Sequence, residues 1–128
     1  MTGADALPVN RLEVAIAEAK AGRIPIGAML EALLAADLVL PSAAPVAADG
    51  SGLRPVLFAR GDGEAVACFT GFERVRGLDH LAPFALLAPA RAWVPRLAGR
   101  YGLAVNPGQP LGFEIDAQGL ARAAAERG

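Results

Sequence analysis

The sequence predicts an α/β (α+β) fold: one domain over residues 1–128, with a mixed β-sheet of about five or six strands, an N-terminal αα-hairpin and a C-terminal helix. Three observations predict it. Apolar patterning changes along the chain between helical periods and short β-runs, in the order ααβ, ββα, βα, ββα. Asp62-Gly63 between two apolar runs is a hairpin signal. The chain is 54% hydrophobic over 128 residues, enough for one core. Much of that fraction is alanine, so burial should rest on Leu, Ile, Val, the five Phe and Trp93.

Asn10 can cap a first helix in which Leu12, Ala15, Ile16 and Ala19 share one face, with Glu13, Glu18 and Lys20 elsewhere and Gly22 as the stop. A second helix is expected from near Pro25, whose missing N–H suits a first turn. Ile26, Met29, Leu30, Leu33 and Leu34 form its stripe. The short connection makes these two an αα-hairpin, leading into a strand at 37–41.

Ser42 to Gly52 is a loop by composition, with Pro45 and Asp49-Gly50 as turn signals. Strands at 54–59 and 64–70 flank Arg60-Gly-Asp-Gly63. Their apolar faces predict a sheet covered, or nearly covered, on both sides. Thr70-Gly-Phe-Glu73 matches a capping box and should start a short helix that ends by Gly77. A strand is expected over 83–88, then a short helix over 90–97 that Pro95 should kink by removing the hydrogen bond to Arg91. Strands at 102–105 and 113–115 enclose a Pro- and Gly-rich segment, and Asp116 can cap a last helix with Leu120, Ala123 and Ala124 inward.

Composition excludes more than it assigns. With twelve basic and thirteen acidic residues and no basic cluster, nucleic acid is a poor partner. Cys68 is the single cysteine, so neither an internal disulfide nor a multi-thiolate zinc site is expected. The N-terminus does not read as a secretory signal, and the apolar run at 24–41 is broken by Pro25, Glu31 and Asp37. A cytoplasmic protein with no membrane contact and no cofactor is therefore expected. The arginine and alanine bias suits a GC-rich bacterial genome.

Cys68, His80 and Asn106 have the chain order of some thiol hydrolases, in which imidazole activates a thiolate. Cys68, however, sits mid-strand, where a lone cysteine usually acts as a small apolar residue. His80 beside Asp79 is too little for a metal site. Glu114 and Asp116 alternate on one strand face, but Asp116 already serves as a cap. Arg60-Gly-Asp62 reads as a turn rather than an adhesion tripeptide.

In Gly102-Leu-Ala-Val-Asn-Pro-Gly-Gln-Pro-Leu-Gly-Phe-Glu-Ile115, the sequence Asn106-Pro107-Gly108-Gln109 fits a type II turn, and Pro110 to Gly112 suits a second, type I turn. The prolines and glycines thus have folding reasons. Asn106, Gln109 and Glu114 are left without one, although Asn106 can also brace its own turn, and with Phe113 they are the candidate binding residues.

The stretches "PVLFARGDGEAVACFT", "FTGFERV", "PFALLAPAR" and "LAVNPGQPLGFEI" together resemble the N-terminal domain of the enhanced serine sensitivity proteins, the SseB-like domain. The resemblance runs from the second helix to the last. It implies an α/β domain with no established catalysis, cofactor or catalytic residue. A protein-interaction or scaffold module is the expected function. The alternative is a small-ligand binder or enzyme with a pocket beside the Asn106–Glu114 loop. An uncovered edge strand would support a homodimer.

Overall fold

The first helix, α1 (Arg11–Lys20), opens as its sequence dictates: Asn10 is extended, and its side-chain oxygen accepts the Glu13 amide at 2.9 Å. It closes at Gly22, whose φ of +78° is the left-handed conformation glycine supplies cheaply. The computed structural model describes residues 7–61, 63–78, 80–97 and 99–127, so Asp62 of the hairpin turn and Asp79 beside His80 lie outside the described residues.

α2 (Ile26–Leu34) packs on α1 as the expected αα-hairpin, burying Met29 and Leu33. Pro25 precedes the helix as its extended cap residue rather than entering the first turn. Ile26, expected on the buried stripe, is 58% exposed because it sits in the first turn. Glu13 departs further from the sequence reading. The helical period places it away from the apolar face of α1, yet it is wholly buried.

Among the described residues, six strands follow in two sheets. β1 (Asp37–Ser42) pairs antiparallel with β4 (Phe84–Pro89), Leu38 opposite Ala88 and Leu40 opposite Leu86. β2 (Leu57–Arg60), β3 (Gly63–Cys68), β5 (Gly102–Val105) and β6 (Phe113–Ile115) form the second sheet in the order β2-β3-β5-β6. Here β3 and β5 run parallel and the outer pairs antiparallel, so this sheet is mixed. The two sheets meet where Val39 and Phe69 exchange backbone hydrogen bonds, both at 2.9 Å. Pairing does not continue toward β3, because the next residue in phase, Ala67, gives its amide to Val56 C=O at 2.9 Å and Pro41 of β1 has no N–H to offer.

Leu38 and Leu40 of β1, Val66 and Cys68 of β3, and Leu103 and Val105 of β5 point into one core, closed by Ile16, Leu33 and Leu120 from the helices. Truncating any of the larger ones should cost about 2–5 kcal/mol. Val39, Phe69 and Leu78 build a smaller cluster on the opposite face of β1. β2 corrects the expectation of a sheet covered on both sides. It is an edge strand, and Leu57, Ala59 and Arg60 are exposed.

α3 (Ala90–Leu97) follows β4 directly, with Pro95 inside it. In α4 (Ala117–Arg127) the Gly119 amide donates to Asp116 Oδ1 at 2.7 Å, the expected cap, and Leu120 and Ala123 are buried. Among the described residues no helix is long and apolar enough to cross a membrane.

Candidate functional site

The two turns after β5 form as their residues require. The Gln109 amide bonds Asn106 C=O at 3.1 Å with Gly108 at φ +76°, and the Gly112 amide bonds Gln109 C=O at 3.0 Å. Gly112 is required by crowding. A Cβ there would collide with the carbonyl oxygens of Asn106 and Val105.

These turns hold Asn106 at φ +46°, left-handed and fully buried. Its Oδ1 accepts the Thr70 amide at 3.0 Å. Its Nδ2 donates to Thr70 Oγ1 and to Leu111 C=O, both at 2.9 Å. Its own amide extends the β3–β5 ladder to Cys68 C=O at 2.9 Å.

The capping-box pattern predicts that Thr70 starts a helix. Its hydroxyl instead donates to Glu13 Oε2, and the chain then makes a single 3₁₀ turn, Phe72–Arg74, with Gly71 at its cap and no side-chain capping bond. The hydroxyl oxygen, which a cap would offer to the Glu73 amide, accepts Asn106 Nδ2 at 2.9 Å instead, so both roles of the hydroxyl are spent on the buried network.

Glu13 also receives Arg74, Nε to Oε2 at 2.9 Å and Nη2 to Oε1 at 2.8 Å, with the Val9 amide on Oε1 at 2.9 Å. Burial by itself would raise the Glu13 carboxyl. The hydrogen bonds from Arg74, Thr70 and Val9 outweigh it and hold the pKa below the ordinary carboxylate range. Arg74 further donates to Leu7 C=O at 2.9 Å, and Asn10 Nδ2 to Thr70 C=O at 3.1 Å. Glu13, Thr70, Arg74 and Asn106 thus form one buried polar network tying α1, the 3₁₀ turn and the β5–β6 loop together.

The four sequence-predicted binding residues separate. Asn106 is inside this network. Gln109 is half-buried at its edge and donates to Arg74 C=O at 2.7 Å. Phe113 is half-buried against the main core. Glu114 is exposed and takes both prongs of Arg60, at 2.7 and 2.9 Å. Arg60 belongs to the far edge strand, and its hydrogen bonds hold the Glu114 pKa low. Two open clefts flank the sheets, of about 640 and 540 Å³. Glu114 lines the first, and neither is lined by Asn106 or Gln109.

The thiol triad does not assemble. Cys68 is fully buried in the core, where burial pushes its thiol pKa far up, and His80 is an exposed loop residue. Asn106 spends its amide on Thr70 and Leu111. Among the described residues, no three His, Cys, Asp or Glu side chains converge to hold a metal ion.

The network also joins the two stretches most distinctive in the sequence, since Thr70 and Arg74 lie in "FTGFERV" and Asn106 and Gln109 in "LAVNPGQPLGFEI". A family model, the SseB protein N-terminal domain, matches residues 12–122. The chain belongs to the SseB N-terminal domain family. No curated protein and no solved structure matches it. Of the residues that build the SseB-like network here, sequence reasoning singled out Asn106 and Gln109 and missed Glu13, Thr70 and Arg74 as partners. The one usable signal was the placement of Thr70 and Arg74 four residues apart in a segment already notable for its composition.

Proposed function

We propose that this SseB-like domain is a cytoplasmic protein-interaction module that receives a partner polypeptide at the edge of β4. The observation that carries the reading is that this edge is both open and uncharged. Leu81, Phe84 and Leu87 are 53, 41 and 52% exposed in a stretch, 81–90, that contains no charged side chain. Edge strands of soluble proteins are commonly guarded by charged side chains or a mid-strand proline, and an unguarded apolar edge is a template for another strand.

The alternative of a ligand pocket beside the 106–114 loop has less support, because Asn106 and Gln109 line neither cleft. In this reading Asn106 and Gln109 brace the domain, and Glu114 is the one of the four sequence candidates whose side chain is exposed.

The test is affinity capture from native extract with wild type, Leu87→Lys and Glu114→Ala, each checked for folding by circular dichroism. A partner identified by mass spectrometry with wild type and Glu114→Ala but lost with Leu87→Lys supports the reading. A partner lost only with Glu114→Ala moves the site to the loop, and a metabolite in place of a protein overturns the reading.

A further inference from the structure

The backbone phase of β1 fixes which groups β4 offers outward. Val39 spends its N–H and C=O on Phe69, away from β4, so Val39 and Leu87 are a pair without mutual hydrogen bonds. The Ala90 amide on Ala36 C=O at 2.8 Å keeps the same alternation, with even-numbered residues of β4 bonded inward to β1. Ala85 and Leu87 therefore direct their N–H and C=O groups to the open side. Among the described residues no backbone group bonds them there.

We propose that the occupant of this edge is a second copy of the same chain, its β4 running antiparallel with Leu86 on the two-fold axis. This rests on the docking reading above and names its partner. The self-complementarity is specific. In that register Ala85 of one copy lies opposite Leu87 of the other, and each outward N–H meets an outward C=O. Pro83 and Pro89 stand equally far from Leu86, so proline meets proline at both ends, where neither strand has a donor to leave unpaired. Shifting the register by two residues in either direction leaves an outward carbonyl of Ala85 or Leu87 without a donor.

Side-chain sizes match in the same register. Leu87 lies beside Ala85 of the other copy, Phe84 beside Ala88, and Leu86 beside its own mate. The product is a continuous sheet, β1-β4-β4-β1, that removes both open edges, in an isologous two-fold contact.

Sedimentation velocity over a concentration series tests this on the full chain. Wild type should reach twice the chain mass. Leu87→Lys, which changes a half-exposed side chain and puts a cation beside each Ala85, should remain at the monomer mass with the circular dichroism of the folded domain and a thermal melt that no longer depends on concentration. As an independent check, Leu86→Cys should form a disulfide-linked dimer under mild oxidation, while Ala59→Cys on the edge of the other sheet should not. A wild type that stays monomeric throughout, or a dimer that survives Leu87→Lys without a Leu86→Cys cross-link, overturns the proposal. A monomeric wild type that still captures a different protein in a Leu87-dependent way overturns the second copy alone and leaves the docking reading standing.

Discussion

Glu13 and Arg74 meet in a two-pronged ion pair, 2.9 and 2.8 Å between nitrogen and oxygen, with side chains 0% and 3% exposed. The pair joins α1 to the 3₁₀ turn after β3, 61 positions apart in the chain, and both charges are out of water. Breaking a buried pair leaves the surviving charge uncompensated. Glu13→Gln should therefore destabilise the fold by about 3–5 kcal/mol. Urea unfolding should show the midpoint falling with little change in slope. Replacing both partners together, Glu13→Leu with Arg74→Met, should cost less than the sum of the single changes, because no lone charge is left buried.

The same carboxylate makes stability depend on acid. The Glu13 pKa is lowered in the fold relative to its ordinary value of 4.5. The native state therefore holds its ionised form more tightly than the unfolded chain does. That contribution is present in full above the unfolded value and is lost as pH falls through the folded one. Wild type and Glu13→Gln, compared by thermal denaturation from neutral to strongly acidic buffer, should converge on the acid side. A gap that stays constant below the ordinary carboxylate range would count against an ionised Glu13.

Asn106 combines a left-handed backbone with a fully used side chain. Asn106→Ala loses the hydrogen bonds and keeps a β-carbon in the left-handed region, which asparagine tolerates better than alanine, whereas Asn106→Gly loses the bonds but relieves that strain. The alanine variant should be the less stable of the two by about 1 kcal/mol. Equal destabilisation in chemical denaturation would mean that the turn relaxes out of its left-handed geometry.

Cys68 should be silent in the folded protein. It is fully buried and its thiol pKa is raised. A disulfide reagent at neutral pH should label it only as fast as the domain opens, and at the unfolded-chain rate once denaturant is added. Rapid labelling of the native protein would restore a reactive-thiol reading.

Local chemistry determined a great deal of this structure. The caps at Asn10 and Asp116, the stop at Gly22, and the paired turns at 106–112 depend on contacts within a few residues, so their residue types dictate them wherever the chain goes. The β-runs were legible in the same way, from apolar patterning, and their number and type came with it.

Tertiary structure decided the rest. Nothing near Thr70 in sequence says that its hydroxyl will turn to Glu13, 57 positions away, instead of capping the next helix. Nothing near Glu13 says that a charged residue off the apolar stripe of α1 will be buried, because only the arrival of Arg74 makes that burial tolerable. The division into two sheets was also decided at long range, because beyond the Val39–Phe69 pair the Ala67 amide goes to Val56 C=O and Pro41 has no N–H to offer in its place. Sequence by itself determined the order of helices and strands and the ends held by local caps and turns, since these rest on short-range backbone preferences. The site was decided by long-range competition among polar groups for buried partners, and the sheet partition and the open edge of β4 by which strands the fold brings side by side.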